Sequence, residues 1–172
     1  MVTEEALRRD FESSDKEILR NEIRFVLETF RVKSINSLPY SFLRSNPSIP
    51  SIEFDESKII EMEEDKFLKQ FYVAKEWLSQ FQTNDLRKRR MNKNRSSQKI
   101  KDIAENWSGT YVSNQALIIA ASALNIPFEK ADYDSRVVFF PFMEQAITQK
   151  EEEGRRRYEL RSQTLQSPLY VW

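Results

Sequence analysis

The residue types best suited to chemistry in this sequence are the Lys and Arg side chains between residues 83 and 101. This stretch carries eight basic residues and one acidic residue. Cations at this density are typical of surfaces that neutralise a phosphate backbone, and the Asn, Ser and Gln residues among them add short donors that also contact phosphates. We therefore predict phosphate contacts from eight residues: Arg87, Lys88, Arg89, Arg90, Lys93, Arg95, Lys99 and Lys101.

The distribution of charge along the chain favours the same prediction. Residues 1–80 hold 12 basic and 16 acidic side chains, residues 81–110 hold 8 and 3, and residues 111–172 hold 7 and 8, so a net charge of zero hides one basic stretch. Two alternatives remain open. The cations would complement the dipole at the end of a long helix and stay in water, or they would dock on the acidic stretch 61–65 of this chain or of a second copy.

A helix-turn-helix-like pair is predicted where the basic stretch ends. The pattern indicates a helix over 97–107 that Ser96 or Ser97 caps, a turn that contains Gly109, and a second helix over 113–124 with Ser113 as its N-cap. In a helix-turn-helix the first residues of the second helix reach base edges, and Asn and Gln read adenine with two hydrogen bonds. The groove contacts are therefore predicted at Ser113, Asn114 and Gln115, with Tyr111 on a phosphate. A strand predicted over 135–140 occupies the position of a wing.

The same two helices also fit a plain hairpin within a hydrophobic core. Residues 117–124 are apolar on nearly every side, whereas a recognition helix must show a polar face to the groove. Two capped helices joined by a short turn are common. The spacing alone therefore leaves both interpretations open.

The composition excludes several classes of enzyme and metal site. Without His or Cys the chain has no Ser-His-Asp or Cys-His catalysis, no thiolate or imidazole zinc site and no disulfide. Its two glycines, Gly109 and Gly154, cannot form a P-loop or a dinucleotide fingerprint. The carboxylates of the stretch 61–65 offer the oxygen ligands that Mg²⁺ prefers, but neighbouring positions fan around a helix. We expect no enzyme, no cofactor and no metal.

The N-terminal elements that position these residues are predicted to be helices. Apolar residues at spacings of three, four and seven predict helix over 3–33. This is either one long helix or two helices with a kink near Ser13–Ser14, where Ser14 and Glu17 have the spacing of a capping box. The same spacing predicts a helix over 56–82. Between them, the Pro-rich stretch 34–54 predicts an ordered loop that packs across the helices.

The C-terminal part of the chain predicts one strand and one helix. β-branched and aromatic residues over 135–140 predict the strand. Pro141 suits the first position of a helix that runs to about Gln163. Its polar middle predicts a helix that is exposed, frayed or laid against an oppositely charged partner. The apolar tail 167–172 is expected to be extended, where it would pair with the strand.

These patterns predict a mainly α fold: a single helical domain over 1–172 with a minor β element and a helix-turn-helix-like pair at 97–124. Its parts would be N-terminal helices in 1–82, the basic segment, the helix pair with its strand up to 141, and a C-terminal helix and tail from 142. No apolar run reaches the roughly 20 residues of a membrane span. The acidic N-terminus lacks the apolar region of a signal peptide, so a cytoplasmic protein is expected.

The function that these residues favour is non-catalytic binding of nucleic acid, either DNA or RNA. The alternative is a helical adaptor or structural subunit of a larger protein or ribonucleoprotein assembly. An excess of aromatic residues and the apolar tail Leu169–Trp172 favour that alternative, because exposed aromatic patches often mark protein interfaces. The tail would then bind a protein partner or a second copy of the chain.

Overall fold

A computed structural model of the chain describes residues 2–30, 64–134 and 136–164. Within those ranges it contains six α-helices, a short 3₁₀ helix and a two-stranded antiparallel sheet, which confirms the mainly α prediction. Three predicted features lie outside the described residues: the Pro-rich stretch 34–54, the start of the second long helix at 56–63 and the tail 167–172.

The N-terminal stretch forms two helices, α1 (Glu4–Ser13) and α2 (Lys16–Phe30), so the second of the two alternatives, a kink near Ser13–Ser14, is the correct one. The predicted capping box at Ser14 is wrong, because the Ser14 hydroxyl donates back into α1. The carboxylate of Asp15 accepts a hydrogen bond from the backbone N–H of Glu17 at 2.9 Å instead. Asp15 therefore caps α2, since aspartate satisfies a first-turn N–H as well as serine does.

The core is built around one apolar helix. Three helices follow the N-terminal pair: α3 (Glu64–Leu78), α4 (Ser97–Ser108) and α5 (Asn114–Ala123). α5 packs against α2, α3 and α4 and buries every residue from Ala116 to Ser122. The apolar character of this helix is thus explained by its central position in the core.

The ends of α4 and α5 are set by residues that the sequence predicts to be caps. Ser96 and Ser113 each accept a hydrogen bond from a backbone N–H in the first turn of their own helix. Gly109 ends α4 with φ at 71°, in the left-handed region that glycine enters without a steric penalty. Asn125 follows α5 with φ at 56°, and asparagine is one of the few other residues that tolerate this region.

The sheet pairs β1 (Glu129–Lys130) with β2 (Val138–Phe139), and Glu129 lies opposite Phe139. The strand predicted over 135–140 is confirmed at Val138 and Phe139. Its partner here is β1, whereas the predicted partner, the tail, lies outside the described residues. β1 gives a weak signal because it is only two residues long and consists of Glu and Lys, which are depleted in strands.

The last helix, α6 (Glu144–Thr164), begins three residues later than predicted. The sequence predicts Pro141 at its first position, but the carbonyl of Pro141 accepts a hydrogen bond from the N–H of Arg87 at 2.5 Å. Phe142 also forms an antiparallel β-bridge with Leu86. Residues 141–142 are therefore held in extended pairing, and the helix can begin only after them.

The polar middle of α6 packs against α4, so it is neither exposed along its length nor frayed. Gly154 permits α6 to approach the backbone of α4 closely, because a Cβ at this position would lie 3.2 Å from the Ile103 carbonyl and 3.4 Å from the Trp107 nitrogen. The guanidinium of Arg157 lies 4.8 Å from the Trp107 ring centroid and donates to the Trp107 carbonyl at 3.1 Å. Gly154 and Arg157 thus hold the polar middle of α6, which has no apolar stripe, against α4.

Arg157 and Arg161 also connect α6 to the N-terminus, and each is only 7% exposed. Arg157 donates to the Val2 carbonyl, and Arg161 donates to the Glu4 carboxylate at 2.5 Å and to the Asn106 carbonyl. Asn106 lies in the last turn of α4, where unpaired carbonyls and the helix dipole favour a cation. The two arginines thus satisfy the C-terminal end of α4.

Candidate nucleic-acid interface

The basic segment, residues 83–101, lies beside β2 and the residues that follow it, and two isolated β-bridges join them. It is paired near its start, where Leu86 bridges Phe142, and near its end, where Ser96 bridges Phe139; both bridges are antiparallel. Apart from a 3₁₀ turn at its beginning, the segment is irregular up to α4. Its cations therefore do not close a long helix, which was one of the two alternatives.

Two backbone hydrogen bonds hold the ends of a loop between those bridges. The N–H of Arg87 donates to the carbonyl of Pro141 at 2.5 Å, and the N–H of Asn92 donates to the carbonyl of Phe140 at 2.7 Å. Because the two acceptors are consecutive residues, the chain between the two donors must arch away from them. We call residues Arg87–Arg90 the cationic loop.

Met91 and Asn92 anchor the cationic loop on its C-terminal side. Met91 is buried in a small apolar cluster with Ala131, Val137 and Phe139. Asn92 is 1% exposed, and its side-chain N–H groups donate to the Phe142 carbonyl at 3.2 Å and to the Glu144 carboxylate at 2.8 Å. Its side-chain oxygen accepts from the backbone N–H of Asn94 at 3.1 Å. Buried polar groups with this many partners are expensive to disrupt.

The carboxylate of Glu144, at the start of α6, joins this anchor to the rest of the basic segment. It accepts hydrogen bonds from Asn92 and from Arg95 Nε, the latter at 2.9 Å. The hydrogen bonds from Asn92 and then Arg95 lower the pKa of Glu144, and the nearby charge of Arg87 acts in the same direction. Arg95 also contacts the carboxylate of Glu151 at 3.0 Å. Arg95 is therefore committed to α6.

The predicted phosphate-binding residues divide into two groups. The exposed side chains that form no ion pair with a carboxylate of the described residues are Lys88, Arg89, Arg90 and Lys99. Those with acidic partners are Lys93 with Glu129 at 3.2 Å, Arg95 with Glu144 and Glu151, and Lys101 with Asp102 at 2.8 Å and Glu105 at 3.2 Å. Arg87 is half-buried beside Glu144. The strongest unpaired positive charge is therefore the run Lys88–Arg90.

The acidic stretch 61–65 does not take up this charge in its described part. Glu64 forms an ion pair with Arg20 of α2, and no ion pair joins Glu64 or Asp65 to the basic segment. The rest of the stretch, residues 61–63, lies outside the described ranges. Docking of the basic segment on this stretch thus has no support from the residues that the structure describes.

The predicted groove-contacting residues are half-buried at the start of α5. Ser113 caps the helix with its hydroxyl, and its N–H donates to the side-chain oxygen of Gln70 at 3.1 Å. Asn114 donates from its amide nitrogen to the Arg136 carbonyl at 2.5 Å. Gln115 forms no hydrogen bond through its side chain with the described residues. Of the three side chains, only Gln115 makes no hydrogen bond within the described fold.

Tyr111 and Lys101 lie together at the turn after α4. Tyr111 is 40% exposed, and the Lys101 ammonium is 5.6 Å from its ring centroid. Although burial opposes the charge of Lys101, the carboxylates of Asp102 and Glu105 raise its pKa overall. Glu105 in turn accepts from the N–H of Val112 at 3.1 Å. This group stabilises the turn between the two helices.

Sequence reasoning assigned the short polar residues of the basic segment to phosphate, but the structure uses three of them internally. Asn92 is buried as described above, Ser96 caps α4, and the Ser97 hydroxyl accepts from the N–H of Val138 at 3.1 Å. The anchoring role of Glu144 and the exposed aromatic ring of Tyr133 were both missed. Glu144 gave no signal because its partners lie about 50 positions away along the chain.

No group of three or more acidic side chains in residues 2–30, 64–134 and 136–164 is arranged to hold a metal ion. In the same ranges, no helix is both long enough and apolar enough to cross a membrane. Comparison of the chain with protein-family models, with curated proteins and with solved structures found no match. Any function must therefore be argued from the geometry of the chain itself.

Proposed function

We propose that the protein binds nucleic acid without catalysing a reaction on it, and that the cationic loop supplies the central phosphate contacts. The observation that carries this proposal is the exposed positive charge of Lys88, Arg89 and Arg90, which is unpaired within the described ranges. Their side chains are exposed and have no acidic partner among the described residues, and the ends of their loop are hydrogen-bonded to residues beside β2. Binding of a polyanion to such cations releases counterions, which gives affinity without base contacts.

The anchoring of the loop supports the proposal as much as its charge does. Met91 is buried, and Asn92 is held by its backbone and its side chain. The backbone on either side of the cations is therefore fixed before any ligand arrives. Binding then costs less conformational entropy than it would for a flexible basic tail.

Two further cations extend the proposed surface. Lys99 is exposed in the first turn of α4, and Lys93 is 63% exposed in its pair with Glu129. An exposed ion pair contributes about 0–1 kcal/mol, so Lys93 can exchange its carboxylate for a phosphate at little cost. Arg95 and Lys101 each hold two carboxylates and are left out of the surface.

Base contacts have a smaller place in the proposal. α5 is buried from Ala116 to Ser122, and Ser113 and Asn114 make internal hydrogen bonds. Gln115 is the remaining candidate for a base edge. Modest sequence preference is expected from such a surface, because phosphate contacts carry no sequence information.

The test is fluorescence anisotropy with labelled duplex DNA, single-stranded DNA and RNA at low and near-physiological salt. A variant with Lys88→Gln, Arg89→Gln and Arg90→Gln should bind at least about tenfold more weakly. Its dependence of log K on log salt should be shallower by about 2–3 units, because each lost phosphate contact removes about 0.7–0.9. Circular dichroism should show unchanged helix content, since these side chains support no other part of the described structure.

A matched control removes the same number of positive charges from exposed arginines outside the basic segment: Arg9→Gln, Arg155→Gln and Arg156→Gln. This control should bind as the unchanged protein does. Equal loss of affinity in both variants would refute a local site at the cationic loop. Absence of binding by the unchanged protein at low salt would refute the proposal altogether and favour the adaptor alternative.

A further inference from the structure

The side chain of Tyr133 is the most exposed large hydrophobic side chain among the described residues, at 73%. It lies in the connection between β1 and β2. The ring meets the Phe139 ring edge-on, with centroids 6.4 Å apart and planes at 69°. Edge-to-face contact of this kind is favourable for aromatic pairs, and it leaves most of the tyrosine ring exposed to solvent.

The hairpin that carries Tyr133 and the cationic loop are parts of one small structural unit. Phe139, which supports the Tyr133 ring, belongs to the same buried cluster as Met91, the residue that directly follows the loop. A second connection is the ion pair between Lys93 and Glu129 of β1 at 3.2 Å. The exposed ring and the exposed cations therefore keep a fixed relation to each other.

We propose, on the basis of the function proposed above, that the ligand is single-stranded nucleic acid and that Tyr133 stacks on an unpaired base. Surfaces that bind single strands combine cations along the backbone with aromatic rings on which bases stack. In a duplex the base faces are already stacked on one another, so Tyr133 would have no partner. The burial of α5 favours the same ligand, since this helix, the predicted groove reader, is buried from Ala116 to Ser122 and has no polar face there for a duplex groove.

The charges around the ring define where the backbone would run. Asp134 is paired with Arg136 through two side-chain hydrogen bonds at 3.1 Å, and these bonds lower the pKa of Asp134. Asp132, which is exposed, adds a negative charge on the other side of Tyr133 in sequence. The phosphates are therefore expected on the side of the cationic loop, with the base turned toward the hairpin.

The experiment compares single-stranded DNA, single-stranded RNA and duplex DNA of equal length by anisotropy, with three variants. Tyr133→Ala should weaken single-strand binding about tenfold while leaving duplex binding unchanged, because stacking of one base is lost. Tyr133→Phe keeps the ring and should restore affinity to within about twofold. Tyr158→Ala removes a partly exposed tyrosine on α6 and should have no effect.

The salt dependence separates this inference from the proposal beneath it. Tyr133→Ala should leave the slope of log K against log salt unchanged, since no phosphate contact is removed. If the protein binds all strands equally and Tyr133→Ala binds as the unchanged protein does, the stacking inference is refuted. The function proposed above would still stand if the triple Gln variant had lost binding. If the unchanged protein binds no strand, both fail together.

Discussion

Two runs of consecutive basic residues, Arg87–Arg90 and Arg155–Arg157, have almost the same composition and opposite surroundings. In the first run Lys88, Arg89 and Arg90 have no acidic partner among the described residues. In the second run Arg155 pairs with Glu159 at 2.8 Å and Arg156 pairs with Glu152 at 2.6 Å. The third member, Arg157, is buried against α4.

The difference between the runs comes from the backbone. On a helix, residues four apart face one another, so the acidic residues on either side of Arg155–Arg157 become partners. The helical period also turns Arg157 and Arg161 toward the same neighbour, α4. The loop of Arg87–Arg90 offers no such spacing, and Glu144, whose carboxylate feels the charge of Arg87, is already bound to Asn92 and Arg95. Local structure therefore decides which run contributes to stability and which is available to a ligand.

The largest expected effect comes from breaking the helical run at its buried member. Arg157→Met keeps an unbranched stem but leaves the carbonyls of Trp107 and Val2 without their donor. We expect a loss of about 2–4 kcal/mol in the free energy of unfolding, measured by urea denaturation. Arg156→Met, on the exposed side, should cost less than about 0.5 kcal/mol. Equal losses of unfolding free energy in the two variants would contradict the claim that Arg157 stabilises the fold and Arg156 does not.

The next prediction tests whether nucleic-acid binding by the cationic loop depends on the anchor at Asn92 as well as on the positive charge of the loop. Asn92→Ala removes the donors to Phe142 and Glu144 and should cost about 1–3 kcal/mol in urea denaturation. Nucleic-acid affinity should also fall, although no cation is lost. Asn94→Ala is the matched control, because the Asn94 side chain is exposed and only its backbone N–H contacts Asn92. Loss of stability without loss of affinity would show that charge alone suffices.

The contrast between the runs also shows what the sequence can and cannot predict. The helices, a serine cap before α4 and before α5, and the Gly109 turn follow from local patterns, and the structure confirms them in the described residues. Local patterns left open whether the N-terminal helix breaks near residue 14 and whether Ser96 or Ser97 is the cap, and the structure shows the break and the Ser96 cap. The basic segment was recognisable from its composition. The pairing of Lys93 and Arg95 was not, because their partners Glu129, Glu144 and Glu151 are distant in sequence, whereas Lys101 pairs with its neighbours Asp102 and Glu105.

The packing of α6 was equally hidden from pattern reasoning. Its middle, QKEEEGRRRYELR, has no apolar stripe, and hydrophobic periodicity therefore favours an exposed helix. Contact with α4 is made instead by an absent side chain at Gly154 and by the long stems and heads of Arg157 and Arg161. The sequence signal for this packing is a lone glycine inside a helix, Gly154, with arginines three and seven positions later.

Gly154 gives a third and smaller prediction, on the helical side of the comparison. Gly154→Ala places a Cβ 3.2 Å from the Ile103 carbonyl, which is helix backbone and cannot move aside easily. Overpacking of about 1–3 kcal/mol is offset by about 1 kcal/mol of helix propensity, so the net loss is on the order of 1 kcal/mol. Thermal and urea denaturation measure it. Gln149→Ala, at an exposed position on the same helix, should not destabilise; stabilisation by Gly154→Ala would refute the close approach.

The smallest expected effect concerns Glu144. Its carboxylate anchors the segment that follows Arg87–Arg90, and the residue lies on α6, the helix that carries Arg155–Arg157. Its pKa is lowered in the folded protein by the hydrogen bonds from Asn92 and Arg95. The stability that it contributes is therefore present above the pKa of the unfolded chain and is lost as the pH falls through the folded value. The difference in unfolding free energy between the unchanged protein and Glu144→Gln should be largest near neutral pH and shrink in acid. The effect is small because this side chain is 42% exposed.

The same substitution should act in the opposite direction on ligand binding. Glu144→Gln removes a negative charge beside Arg87 and Arg95 while its side-chain oxygen still accepts from Asn92. Affinity for a polyanion near neutral pH should therefore rise, by about threefold at low salt, even as stability falls slightly. Below the folded pKa of Glu144 the two proteins should bind alike, because the carboxylate is then neutral as well. Anisotropy at both pH values measures this. If Glu144→Gln bound more weakly at neutral pH, the carboxylate would favour binding, because its anchoring of the loop would outweigh the repulsion between its charge and the ligand.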